Sequence, residues 1–324
     1  MGVHISGVGA YLPPHTVTND TLSTIVDTSH EWIVTRTGIE KRHISTGDTI
    51  ADMAEYAARL AIEDAGVAPA EIDLVIVATA SPDHLFPSAA CQLLTRLGIG
   101  EVMAFDLYAA CTGVLYAINA ARSMIESGSH TKALIVGSEA LSRITDWTDR
   151  STCVLFGDGA GALILEKSEE EGVRACFSAA RSDISDAIYC RSHPIQNPWC
   201  EDKDERPMLI QMNGKEVFKF ATFAMVDGVE KAAEMAGRSL EDIDWVVPHQ
   251  ANIRIIQYAA NKLDIDDDKF FINIDHTANT GAASIPVALW EMKQADLLKP
   301  GDEIVLVAFG AGFTWGSVWL KWSD

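Results

Sequence analysis

Cys111 follows Phe105-Asp-Leu-Tyr-Ala-Ala and precedes Thr112-Gly113 and the helical run Val114–Met124. That order places its sulfur at a strand-to-helix turn, at a helix N-terminus. Unpaired backbone N–H groups and the helix dipole there favour a thiolate. Ala109, Ala110 and Gly113 leave space for a substrate. On context alone, a nucleophile and a small buried hydrophobe are equally good readings. Cys91 in AACQLLTRL and Cys153 in STCVLF read as core residues, and Cys176, Cys190 and Cys200 carry no chemical signal. No C-x-x-C pair is present to bind zinc, and His84, His193 and His276 lack metal-ligand spacing. His249, in Trp245-Val-Val-Pro-His-Gln-Ala-Asn, stands where a buried strand ends, the side of an α/β sheet that faces ligand crevices.

The elements that must position these residues occur twice. Ala61-Ile-Glu-Asp-Ala-Gly and Ala232-Ala-Glu-Met-Ala-Gly both read as a helix ended by glycine, followed by a short loop and a buried strand. Ala110-Cys-Thr-Gly matches Ala278-Asn-Thr-Gly, each opening a helix. Lys132-Ala-Leu-Ile-Val matches Asp302-Glu-Ile-Val-Leu, each a core strand, and Phe156-Gly-Asp-Gly-Ala-Gly matches Phe309-Gly-Ala-Gly-Phe. Four matches in one order argue for a duplicated α/β fold of helix-covered sheets. Asn279 then occupies the position that Cys111 holds in the first half. A pseudo-twofold axis would bring both helix N-termini together, so that Cys111, His249 and Asn279 converge. The expected division is 1–170 and 171–324, at the charged run after Glu166, with a packed interface between halves. Asp183–Pro207, with three prolines and the charge run Glu201–Arg206, reads as a long loop.

The glycine turns exclude one function. Gly157–Gly161 is not G-x-G-x-x-G, and a strand (Ala162–Glu166) follows it, so a dinucleotide site is rejected. The turn at Phe309 could instead supply N–H donors to an oxyanion, or be a plain tight turn. Among 324 residues, 46 Asp and Glu against 25 Lys and Arg give a net charge of −21. Such a chain repels phosphate backbones, which argues against nucleic acid as partner. No apolar run approaches the ~18–20 residues that span a bilayer. The N-terminus reads as a buried strand, Val3 to Val8, and not as a signal peptide, although Gly2 and Ser6 formally fit a myristoylation pattern. Free thiols fit a reducing cytoplasm.

With these residues in place, the chain resembles the 3-oxoacyl-(acyl-carrier-protein) synthase III family, the initiating condensing enzymes of type II fatty-acid synthesis. The resemblance runs nearly end to end, through DTSHEWIVTRTGI (27–39), FPSAACQL (86–93), the Cys111 turn, Asp149-Arg150, the Phe156 turn, VPHQANI (247–253), Asn279–Ala283 and AFGAGFTWG (308–316). It implies the thiolase fold, a duplicated α-β-α-β-α five-layer architecture, in a homodimer without cofactor or metal. The departure is Asp183–Pro207, longer than usual and near the acyl pocket.

The resemblance also implies roles. Cys111 would be acylated by an acyl-CoA, and His249 and Asn279 would bind the malonyl thioester carbonyl. The backbone N–H groups of Cys111 and Ala311 would form the oxyanion hole. Trp32, Arg36 and Arg150 would hold the CoA adenine and phosphates, with Asn252 beside the pantetheine channel. Phe86 would reach across the dimer and close the acyl pocket, favouring a short primer such as acetyl. The partner, an acidic acyl carrier protein, needs a local basic surface. Lys215, Lys219, Arg254 and Lys262 are candidates, or else ordinary solvated charges. The chemistry agrees: decarboxylation of malonyl thioester makes a carbon nucleophile without a general base, and needs two donors on the oxygen where charge develops. A thiolase would need a second Cys, and an elongating synthase a second His, where Asn279 stands. 3-Hydroxy-3-methylglutaryl-CoA synthase needs a catalytic Glu that no motif places. A triad-bearing relative that makes a secondary metabolite remains the alternative.

Overall fold

The computed structural model describes residues 2–169, 172–183, 185–200, 206 and 208–323. The strands sort into two principal sheets. The first has the order Gly2–Tyr11, Asp158–Ser168, Lys132–Ala140, Leu74–Ala78, Met103–Leu107. The second runs Val173–Ala180, Thr314–Lys321, Glu303–Gly310, Trp245–Pro248. Read in this order the two sheets superpose strand for strand, antiparallel pairs first and a parallel pair after. Even the fifth strand has a remnant: Val246 forms a parallel bridge to Phe270, where the first sheet has Met103–Leu107.

Three layers of helices enclose the two sheets. Ile50–Ala65 and Ala89–Leu97 share a core with the outer face of the first sheet. Gly214–Ala236 and Ile253–Leu263 do the same for the second. Between the sheets lie Gly113–Glu126 and Ser284–Gln294, whose apolar residues join strands from both halves in one cluster. This gives the five layers α-β-α-β-α of the thiolase fold. Strands covered on both faces have no solvent side, and every residue of Leu74–Ala78 is buried accordingly.

Close packing of the central layer sets the position of the site. A Cβ on Gly161 would lie 2.6 Å from the Pro286 side chain, so glycine lets the helix Ser284–Gln294 sit directly on the strand. Gly161 is thus a strand residue: the strand begins at Asp158, inside the stretch that reads as a glycine turn.

Two more expectations change. Cys91 is exposed, because Ala89, Ala90, Leu93 and Leu97 take the inward face of its helix. Cys153 is buried as expected. The long loop is not wholly irregular, since Ile188–Cys190 pairs with Ile210–Met212 in a two-stranded ribbon. The charge run at 201–205 and the expected boundary at 170–171 lie outside the described residues.

Candidate active site

The central helices place Cys111 and Asn279 at their N-terminal ends. Each is preceded by a single 3₁₀ turn, Ala110–Thr112 and Gly281–Ala283, and the two turns pack against each other. Ala110 (φ 47°) and Ala278 (φ 58°) both adopt positive φ, immediately before Cys111 and Asn279. Such backbone is costly for a residue with a Cβ and persists only where surrounding structure holds it. The hold is visible at the first turn. Thr112 Oγ1 and Thr314 Oγ1 are 2.7 Å apart, and the Thr314 hydroxyl also lies within donating reach of the carbonyls of Ala109 (3.2 Å) and Ala311 (3.3 Å). A Cβ on Gly310 would lie 3.0 Å from the Cys111 nitrogen, so glycine allows the 310–314 turn to close over the Cys111 turn.

Cys111, His249 and Asn279 line one channel of about 380 Å³ that opens to solvent. Behind Cys111 lies a second cavity of about 100 Å³, walled by Leu141, Ile144, Phe156, Ile188 and Ile210. Cys111 and Ala311 border both spaces.

Each polar group has a defined state. His249 is 1% exposed, and burial lowers its imidazole to about 3, so the ring is neutral at physiological pH. The Oδ1 of Asn279 accepts the N–H of Gly281 at 2.9 Å, which leaves the amide NH₂ as its free donor group. The Asn279 backbone is pinned to the neighbouring turn, its N–H donating to Leu155 O (3.0 Å) and its carbonyl accepting from Gly157 N–H (2.9 Å).

Cys111 departs from the sequence reading. It does precede a helix N-terminus, but burial and the nearby Glu139 carboxylate push its thiol up to about 12. Desolvation of the charged form outweighs the helix terminus, so Cys111 is a thiol at neutral pH.

At the channel mouth, Trp32 is flanked by two guanidiniums, Arg36 at 4.5 Å and Arg150 at 4.9 Å from the ring centroid. Arg36 follows Trp32 by four residues on the helix His30–Thr37 and so shares its face. Arg150 is held from the other side by donating to Asp27 O at 2.9 Å. Asn252 caps the helix Ile253–Leu263 and lines the channel. Lys215, Lys219 and Arg254 are exposed near one another, with the Arg254 guanidinium over the Phe218 ring at 5.7 Å. Lys262 stands apart, eight residues farther along its helix, about 12 Å. Phe86 is 85% exposed and lines neither space of its own chain.

Two residues escaped the sequence reading. Glu139 lies in the second cavity beside Cys111; its signal was a lone carboxylate within an apolar strand. Gln250, fully buried, ties the His249 turn to its surroundings. Its N–H donates to Ser284 Oγ (2.8 Å), its side chain donates to Pro248 O and Phe271 O (both 3.0 Å), and its Oε1 accepts from Asn273 N–H (3.2 Å). Following His249 was its only sequence signal.

A half-buried cysteine and an oriented amide on paired helix termini, with a neutral histidine at a strand end, suit a thiolase-fold condensing enzyme. Comparison with known proteins specifies which kind. Residues 105–183 match the family 3-Oxoacyl-[acyl-carrier-protein (ACP)] synthase III, and residues 233–322 match its C-terminal counterpart. A beta-ketoacyl-[acyl-carrier-protein] synthase III from Clostridium acetobutylicum is 50% identical over 322 residues, 99% of each chain. The crystal structure of 3-oxoacyl-[acyl-carrier-protein] synthase III from Aquifex aeolicus is 43% identical, with a TM-score of 0.92 over 99% of this chain and 100% of that one. The priming beta-ketosynthase of the R1128 polyketide pathway is less similar in sequence, at 33%, with a TM-score of 0.93 over 100% and 97%. The chain belongs to the 3-oxoacyl-[acyl-carrier-protein] synthase III family. It is an acyltransferase of the condensing type that serves fatty-acid synthesis, in preference to the secondary-metabolite alternative.

Proposed function

We propose that Cys111, His249 and Asn279 carry out both halves of a decarboxylating condensation between a short acyl-CoA and malonyl-acyl carrier protein. In the first half, the Cys111 sulfur attacks the acyl thioester and CoA leaves as its thiol, the proton passing from Cys111 to the departing sulfur. In the second, malonyl thioester loses CO₂, and the resulting enolate carbon attacks the Cys111 thioester. The Cys111 thiolate is expelled and takes a proton from solvent to restore the thiol, and 3-oxoacyl carrier protein is released. Neutral His249 and the Asn279 NH₂ donate to the enolate oxygen, and the N–H groups of Cys111 and Ala311 to the tetrahedral oxyanion. The carrying observation is Cys111 at the junction of the larger channel and the smaller cavity: the channel admits the thioester arm, and the cavity takes the acyl group.

Cavity size sets the primer. An apolar cavity of about 150 Å³ accommodates benzene, so about 100 Å³ takes roughly four carbons. Intact-protein mass spectrometry against a panel of acyl-CoAs is therefore expected to show one adduct from acetyl to butyryl and none from octanoyl. Equal loading of octanoyl would overturn the assignment. The protein acts as a homodimer in this proposal, with Phe86 closing the partner's cavity. Phe86→Ala then extends loading to longer chains; an unchanged panel would remove Phe86 from the pocket.

The channel mouth divides between two partners. Trp32, Arg36 and Arg150 suit an adenine and its phosphates through stacking and charge. Lys215, Lys219 and Arg254, with Lys262 at the periphery, offer an acidic carrier protein its local positive surface. Arg254→Glu is expected to raise KM for malonyl carrier protein with acetyl-CoA loading intact, and Arg36→Glu to do the reverse. Equal effects on both substrates in either variant would refute the division.

The reaction needs no cofactor, and the proposed compartment is the cytoplasm. Among the described residues no helix is long and apolar enough to cross a membrane, and no cluster of metal-ligating side chains occurs.

A further inference from the structure

Glu139 is a buried acid with no part in the steps above. It lies next to the end of the strand Lys132–Ala140, after the apolar run 133–137, and is 1% exposed. Its carboxylate accepts from Ala80 N–H (3.0 and 3.1 Å to the two oxygens), Ser81 Oγ (2.6 Å) and Thr79 Oγ1 (3.4 Å). On its other side it abuts the turn after Asn279: a Cβ on Gly281 would lie 2.9 Å from Glu139 Cγ. The Ala282 N–H donates to it as well, and every one of these donors is neutral. No cation is among its hydrogen-bond partners, so the charge is uncompensated there, and it borders the cavity behind Cys111.

That cavity faces a discrimination problem. The enzyme handles two thioesters, one with a neutral acyl group and one whose acyl group ends in a carboxylate. Either could react with Cys111, and an enzyme loaded with the anionic one would lack its primer. The apolar walls do not fully solve this, because a cavity of about 100 Å³ has the volume for a small diacid.

We propose that Glu139 is a specificity-determining residue that excludes anionic acyl groups, such as malonyl and succinyl, from the primer cavity by like-charge repulsion. The effect is built against the wrong substrate and adds no contact to the right one. Two like charges ~6 Å apart at an effective dielectric constant of ~20 repel enough for about 10²-fold discrimination. The same charge is one of the two causes that keep the Cys111 thiol neutral in the empty enzyme.

The charge state of Glu139 gives a test that needs no mutation. Burial raises its carboxyl to about 7, opposed by the donors of Ser81, Ala80 and Thr79. The titratable groups around it are Cys111 on the turn 110–112, Tyr108 beyond the strand Met103–Leu107, and Cys190 on the ribbon, all of them raised and neutral at pH 6 to 8.5. Above about pH 7 Glu139 is anionic and repels; below it, the carboxyl is neutral and the repulsion fades.

The inference rests on Cys111 as the acylated residue. The probes are butyryl-CoA and succinyl-CoA, matched in chain length and different in terminal charge, with adduct formation followed by intact-protein mass spectrometry. In the wild type, the butyryl-to-succinyl rate ratio is expected to rise by at least about tenfold from pH 6 to pH 8.5. Changes in Cys111 reactivity cancel in that ratio. In Glu139→Gln the ratio becomes independent of pH and falls by about 10² at pH 8.5. A pH-independent wild-type ratio would overturn the proposal. So would Glu139→Gln slowing both substrates alike at an unchanged melting temperature, which is the signature of a purely structural acceptor. Cys111→Ala loads neither substrate; loading in that variant would overturn the nucleophile assignment, whatever the ratios show.

Discussion

Cys111→Ala is expected to form no acyl adduct with acetyl-CoA and to lose condensation by on the order of 10⁶-fold, as removal of the nucleophile from a hydrolytic triad does. The other five thiols cannot substitute. Cys153 and Cys176 are buried in the core, and Cys91 and Cys200 line neither the channel nor its inner cavity. Cys190 borders the inner cavity, away from the mouth through which a thioester must come. Peptide mapping of the wild-type adduct decides the matter: a label on Cys190, or any adduct surviving in Cys111→Ala, defeats the assignment. The raised thiol adds a pH signature. Because burial and Glu139 hold Cys111 at about 12, its thiolate fraction grows about tenfold per pH unit across the neutral range. Acyl loading should therefore keep climbing past pH 9. A plateau near pH 7 would mean that bound CoA, or the helix terminus, lowers the thiol within the complex.

The second large effect separates the two half-reactions. Asn279→Ala should load acetyl at close to the wild-type rate, yet release CO₂ from malonyl thioester about 10²–10³-fold more slowly, the cost of one lost oxyanion donor. An alternative is that Asn279 merely caps its turn. Under the proposal those two jobs fall to different atoms of one amide, since Oδ1 accepts from Gly281 N–H and the NH₂ is left to donate to substrate. Asn279→Asp thus keeps the acceptor and loses the donor. It should decarboxylate at least as poorly as Asn279→Ala, and full activity in the aspartate variant would reduce Asn279 to a cap. His249 should behave as the second donor. With its folded value at about 3, protonation lies well below the assay range, so CO₂ release should be flat from pH 5 to 8. A limb near pH 6.5 that vanishes in His249→Ala would show a titrating histidine instead.

The architecture was legible because duplication is written twice. Helix, glycine stop, short loop and buried strand recur at Ala61 and Ala232, and burial on both faces leaves strands such as Leu74–Ala78 without polar residues. The three candidate residues could be picked out for the same reason. Cys111 and Asn279 hold equivalent places in two copies of one turn, and His249 ends a strand on the same side. Cys91 was misplaced because a run of small residues such as Ala89-Ala-Cys-Gln gives a helix a weak inward stripe, and packing chose Ala89 and Leu93 over it.

Sequence by itself determined which chemistry was possible. A thiol at a helix N-terminus, a strand-end histidine and an amide in the repeated position are local facts, set by residue type and by the short-range rules that end strands and start helices. Tertiary structure decided the state of those groups. The neutral histidine, the neutral thiol and the two jobs of the Asn279 amide depend on desolvation and on partners far away in the chain. Glu139 stands 28 residues from Cys111 along the sequence, yet it borders the same cavity and alters the same thiol. Electrostatic free energy depends on distance and on local dielectric, and both are fixed only when the two sheets close on the central helices.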